Sequence, residues 1–290
     1  MRLKTLLRYG AYPVVFGGIA TFVLIWTTLG GAPWPAFLLT ALVGMFAVAV
    51  LERIQPFQTD WNQDHHDTVT DAIHVLVNLI LMAGTAYGLH LLIGRVPTTA
   101  LWPKSWPIAL QVVLAGAIID LGLYAMHRLS HQVPWLWRLH AIHHSAERLY
   151  WMNGDRRHPL SALLLAGPGL VAAVLLGAPA GVISAWLTLL TVHLAFQHAN
   201  LDYSLGPLRR WIGGAELHRW HHRRDYVDAQ VNFGEFWLVW DWAIGTRFDQ
   251  PNPVGPEDVG LDETRFPASY VGQLRWPFSQ TAETGGASPT

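Results

Sequence analysis

Residues 9–51 read YGAYPVVFGGIATFVLIWTTLGGAPWPAFLLTALVGMFAVAVL, and no charged side chain stands between Arg8 and Glu52. A hydrocarbon core of about 30 Å takes roughly 20 apolar residues per helix, so this run is long enough to cross a membrane twice. Gly30, Gly31, Pro33 and Pro35 supply the turn between the two crossings. A cleaved signal peptide is a poorer reading, because the apolar stretch is long and a second span follows at once.

Further apolar runs extend the pattern. One covers 75–94, which carries no charged side chain and a single histidine, His90. A shorter one covers 106–119 and ends at Asp120. The last covers 160–199 and is broken by Gly177-Ala-Pro-Ala-Gly181, which reads as a helical hairpin. The fold expected is all-α, a polytopic membrane bundle of about four to six hydrophobic helices. Composition agrees, since only 13% of residues are charged against roughly 25% in an average soluble domain. The net charge of −1 gives no reason to expect a nucleic-acid partner. The absence of cysteine excludes disulfides, thiolate zinc sites and iron–sulfur clusters.

Arginine and lysine then orient the bundle. With the N-terminus inside, the outer face receives only Arg95 and Lys104 of the 19 basic residues. That imbalance is what the positive-inside rule expects of short loops. Residues 52–74, 127–158 and 201–290 then share the cytosolic side, and nearly all of the 15 histidines fall there. A cytosolic, histidine-rich helical cap is the consequence, on a multi-pass protein of the bacterial inner membrane or endoplasmic reticulum type.

Three clusters carry the chemistry. His127-Arg-Leu-Ser-His131 is HxxxH, while His140-Ala-Ile-His-His144 and His218-Arg-Trp-His-His222 are both HxxHH. Residues three and four apart share a helix face, so each box is expected to project two or three imidazoles in one direction. Neutral imidazole suits iron, zinc, copper and nickel. A tetrahedral zinc site takes three or four ligands, so eight imidazoles imply two metals, or one metal with many idle histidines. No HExxH zinc-protease helix occurs.

At these boxes the chain resembles the fatty acid hydroxylase / sterol desaturase superfamily, nearest its alkylglycerol monooxygenase and bacterial sterol-desaturase-like branch. The resemblance includes Asp120-Leu-Gly-Leu-Tyr-Ala-Met-His127-Arg128, Arg157-His158-Pro159 and Gln197-His198-Ala-Asn200. It also includes Val231-Asn232-Phe-Gly234, Trp240-Asp241 and Gly245-Thr246. It covers roughly residues 70–250 and implies a hydroxylase-like catalytic domain over 61–250. That domain follows N-terminal membrane helices over 1–60 and precedes a C-terminal extension over 251–290, whose polar end after about Ser279 is expected to be disordered.

What the resemblance implies is a pair of iron ions that uses O₂ to hydroxylate or desaturate a lipid C–H bond. The lipid would be a fatty acyl chain, sterol or ether lipid. Electrons would come from a separate donor such as a ferredoxin or cytochrome b5. One branch that it resembles uses tetrahydrobiopterin, and the sequence leaves that requirement open.

The expected ligands are His127, His131, His140, His143, His144, His218, His221 and His222. His198 is added by resemblance and by its place at the inner end of the last helix. His158, beside Arg156 and Arg157, is carried as a tenth, with headgroup binding or ligand orientation as its other readings. His193 points about 140° away from His198 around a helix and is left out. Asp120 and Asp241 are expected to accept N–H bonds from ligand histidines. His65, His66 and His74, with Asp60, Asp64, Asp67 and Asp71, read as a solvated acidic loop, with a loop that caps the site as the alternative, and the i, i+3 spacing of Asp71 and His74 allows a local pair. Arg156, Arg157, Arg223 and Arg224 read as interface arginines. Two other classes remain open, a membrane metal transporter and a non-catalytic lipid-binding protein.

Overall fold

The computed structural model describes residues 2–92, 95, 98–250, 254–262 and 266–279. The expected disorder after Ser279 and the side chain of His90 lie outside what is described. Among the described residues there is no β-strand. Six apolar helices form the bundle: α1 (Arg2–Thr28), α2 (Ala36–Ile54), α3 (Thr68–Leu92), α4 (Ile108–Gln132), α6 (Pro159–Leu175) and α7 (Ala180–His198). Five are long and apolar enough to cross a membrane, and α6, at 17 residues, is shorter. The expected range of hydrophobic helices is met, and the Gly177–Gly181 break does separate α6 from α7.

Small residues let these helices approach, as they do where lipid tails remove the hydrophobic drive between helices. A Cβ on Gly122 of α4 would lie 2.5 Å from the Gly169 backbone nitrogen of α6. A Cβ on Gly116 would strike the Trp186 ring of α7 at 2.5 Å, and one on Gly44 of α2 would strike Val192 of α7 at 2.5 Å. Helix α7 is therefore the central post, buried along most of its length. Much of α1, α2 and α3 keeps large apolar side chains exposed, among them Val14, Phe22, Phe46, Leu76 and Ile80. Such a surface matches hydrocarbon.

At one end of the bundle the chain builds a cap from α5 (Pro134–His144), α8 (Ala215–His221), α9 (Val239–Ile244) and α10 (Tyr270–Arg275). Buried charge ties it down. Glu52, at the end of α2, accepts from the backbone N–H of Trp151 (3.1 Å) and Asn200 (3.0 Å). Arg148, only 1% exposed, donates to Asp67 at 2.7 Å and to the carbonyls of Trp61 and Gln63, and lies over the Tyr150 ring. Asp71 accepts from Arg156, Tyr150 and Asn153 rather than pairing with His74. His74 instead spans the Arg157 carbonyl and Gln273 Oε1. The solvated-loop reading thus holds for exposed His65 and His66 and fails for Asp67, Asp71 and His74. A buried carboxylate needs a partner, and Arg156, which sequence assigned to the interface, is the partner of Asp71.

Candidate metal centre

Nine buried histidines converge where the helix ends meet the cap. His127 and His131 of α4, His140 and His144 of α5 and His221 of α8 form one group. His143 of α5, His198 at the end of α7, and His218 and His222 on or just after α8 form the other. Within each group one ring nitrogen per residue lies within 4.8 Å of all the others. These nine are the eight box histidines plus His198.

Helix periodicity explains how the boxes divide. In each HxxHH the first and fifth residues, at i and i+4, serve one group, and the fourth residue serves the other. On α5, His140 and His144 join the first group and His143 the second. On α8, His218 and His222 join the second and His221 the first. The expectation that each box points one way is corrected by this split. The two groups abut, with the His144 and His222 rings stacked at 4.6 Å.

The donor set fits metal ions. Nε2 atoms approach pairwise at 3.1 Å (His131–His144), 3.2 Å (His144–His140), 3.0 Å (His218–His198) and 3.1 Å (His222–His218). Two nitrogens each about 2.1 Å from a shared ion and at right angles to one another stand roughly 3.0 Å apart. Behind the ligands, His127 Nδ1 donates to the Phe233 carbonyl, His221 Nδ1 to Val231 and His198 Nδ1 to Leu194, each at 2.9 Å. Donation from Nδ1 leaves Nε2 as a lone pair facing the group. The Nε2 atoms of His127 and His221 are buried with no hydrogen-bond partner, a costly state unless an ion takes the lone pair. Burial, reinforced by charged neighbours, also holds His140, His143, His144, His218, His221 and His222 well below their ordinary pKa of 6.5. They are therefore neutral at physiological pH, as metal ligands must be.

His158 stands outside both groups. Its backbone is extended just before Pro159, and its Nδ1 accepts from Leu160 N at 3.0 Å, which caps α6. His193 is also outside, held between the Tyr12 hydroxyl (2.8 Å) and the Gly213 carbonyl (3.0 Å).

The two aspartates hold a loop rather than a histidine. Asp120 accepts from the Phe236 N–H (2.9 Å), Trp237 N–H (3.1 Å) and Trp240 Nε1 (2.9 Å). Asp241 accepts from Phe233 N–H, Gly234 N–H and the Thr246 hydroxyl. Both act on residues 233–237, whose Phe233 carbonyl receives His127. Replacing Asp120 by asparagine turns one acceptor oxygen into a donor facing N–H groups. An unsatisfied buried group costs about 1–3 kcal/mol, so thermal melts in detergent should show Asp120→Asn destabilised by that order.

The carboxylate beside the ligands is Glu235, which sequence reasoning missed. It lies 3.5 Å from His127 Nδ1 and 2.9 Å from Arg157, with Glu235 fully buried and Arg157 nearly so. The available signal was a single acidic residue inside the otherwise uncharged stretch 229–240, where a charge must find a partner.

A largely apolar cavity of about 430 Å³ runs between α3, α6 and α7. Asn78, Asp155 and Arg157 line it together with Leu170, Leu190 and Leu194. Gly154 also lines it, and a Cβ there would lie 3.2 Å from His198 Nδ1, so one residue of the cavity wall packs against the second group. Met82 and Leu187 line it and also a smaller apolar cavity of about 260 Å³ that reaches Trp34 in the α1–α2 turn.

A family model described as fatty acid hydroxylase matches residues 112–246, which include all nine histidines. An ornithine lipid hydroxylase of Rhizobium tropici is 31% identical over 283 residues, covering 85% of this chain and 83% of that one. Methylsterol monooxygenase 2-2 of Arabidopsis thaliana is 27% identical over 60% of this chain and 65% of its own. Alkylglycerol monooxygenase of Homo sapiens is 27% identical over 44% of this chain and 28% of its own. The chain thus spans less than two thirds of these plant and human relatives. No solved structure matches it.

Proposed function

Since the chain belongs to the fatty acid hydroxylase family and is a membrane-bound lipid oxygenase, we propose that it holds two iron ions and uses O₂ to hydroxylate a C–H bond of an acyl-bearing polar lipid. The single observation that carries this reading is the convergence of nine buried imidazoles in two abutting groups. His127, His131, His140, His144 and His221 would hold one ion, and His143, His198, His218 and His222 the other.

When bound, the iron pair supplies the oxidising power of O₂ for breaking the C–H bond. The chain's own residues do the rest. The Phe233, Val231 and Leu194 carbonyls keep Nδ1 protonated and Nε2 free on His127, His221 and His198. Asp120 and Asp241 fix the loop that presents the Phe233 carbonyl. Arg157, paired with Glu235 at 2.9 Å, lies at the inner end of the cavity. Asn78, Asp155 and Arg157 suit a polar headgroup there, and the leucine-lined length suits an acyl chain. On this reading the attacked carbon would lie near the headgroup. Electrons would come from a separate ferredoxin-like or cytochrome b5-like donor on the side of the cap, and the excess of basic residues there supports a cytosolic side.

Incubation of iron-loaded protein and a reducing system with bacterial lipid extract under ¹⁸O₂ tests the reading. Mass spectrometry should find a lipid heavier by one ¹⁸O atom. A Cβ on Gly167 meets nothing within 4 Å, so Gly167→Phe should fold, keep its iron and fill the cavity. It should lower the yield of labelled lipid at least tenfold. Unlabelled lipid from a fully iron-loaded wild type, across all lipid classes, would refute the reading.

A further inference from the structure

On the far side of α4 from the metal centre lies a second groove, of about 440 Å³, between α4 and α9. Leu121, Ala125 and Leu129 line it from α4, and Trp240, Ala243 and Ile244 from α9. Leu121, Leu129 and Ile244 are 46%, 39% and 53% exposed, so the groove opens toward lipid. Arg128 lines it as well, and its guanidinium makes no hydrogen bond or ion pair among the described residues. Six other arginines of the cap, Arg148, Arg156, Arg157, Arg219, Arg223 and Arg224, are each tied to a carboxylate or a backbone carbonyl. An apolar trough with one unpaired cation at its membrane-surface end has the shape and charge of an anionic lipid site.

We propose that this groove binds an anionic phospholipid of the leaflet on the histidine side, as a fixed structural lipid distinct from the substrate. Its phosphate would sit on Arg128, and one acyl chain would follow α4 toward Leu121, seven residues or about 10 Å along the helix. The groove is walled off from the histidines. The inner face of α4 carries His127 and His131 into the metal groups, and Phe233 packs over both.

Two lining residues tie the groove to the centre. Trp240 Nε1 donates to Asp120 at 2.9 Å. Thr246 gives its proton to Asp241 at 2.6 Å, so the Tyr124 hydroxyl is the donor in its 2.9 Å bond to Thr246. Both carboxylates clamp residues 233–237, which receive His127. A lipid that fills the groove holds α9 against α4 and steadies that clamp. An anionic headgroup near a juxtamembrane arginine is favoured electrostatically as well.

The test uses the full chain in bicelles, with dioleoylphosphatidylglycerol as the probe and dioleoylphosphatidylcholine as the neutral reference. Phosphatidylglycerol should raise the Tm of the wild type by several degrees over phosphatidylcholine and should be enriched in lipid extracted from the purified protein. Arg128→Gln should lose most of both effects, whereas Lys4→Gln, an exposed charge remote from the groove, should keep them. Ala125→Trp, which fills the trough and leaves Arg128 in place, should also lose them, and it carries the test should Arg128→Gln fail to fold. Equal Tm shifts and equal enrichment in wild type and Ala125→Trp would mean a diffuse lipid annulus only and would overturn the proposal.

Discussion

Replacing Glu235 by alanine is expected to destabilise the folded protein by about 3–5 kcal/mol, the range for removing one partner of a buried ion pair. Glu235 is fully buried and Arg157 nearly so, at 2.9 Å from one another. The loss strands Arg157, whose Nε already has no hydrogen-bond partner. It also removes the only carboxylate within 4 Å of a metal-facing histidine among the described residues. Melts of the purified protein in detergent, with iron quantified on the same samples, check both consequences. Glu235→Gln keeps a hydrogen-bond acceptor for Arg157 and should fall between wild type and Glu235→Ala. A Glu235→Ala protein that melts and binds iron like wild type would show that Arg157 finds enough solvent to do without its partner.

The second large effect separates the two histidine groups. His140→Ala reduces a five-donor group to four, whereas His218→Ala reduces a four-donor group to three. His218→Ala is therefore expected to lose about half of the bound iron and His140→Ala much less. Changes behind metal ligands already cost about 10–100-fold, so lipid oxidation should fall at least about 100-fold in both. The measurement is iron per chain beside product formation under one reducing system. Equal iron loss in the two variants would contradict the unequal donor sets.

The sequence made the bundle legible because charge-free runs have few other fates, and α1 to α4 fall where those runs lie. Eight of the nine clustered histidines were legible because i, i+3 and i+4 spacing survives folding, and His198 was added by resemblance. Their division was not, since it depends on the rotational phase of α5 and α8 against one another. His158 was carried by its place in a motif, and the motif is silent on which way the ring turns. Its ring caps α6 instead. Asp120 was rightly singled out as an ionisable group on a membrane helix, but its partners lie about 116 residues downstream. No local spacing links Asp120 to Phe236. Glu52 and Arg148 went unread for the same reason, because each satisfies backbone groups from segments distant in the chain.

The central claim is that nine imidazoles hold two iron ions. The most direct measurement is metal content of protein purified anaerobically in mild detergent with iron supplied, beside the His143→Ala, His221→Ala double variant. Two irons per chain in the wild type, falling to about one in the variant as the group left with three donors empties, is the predicted result. No stoichiometric metal in the wild type, or undiminished metal in the variant, would contradict it.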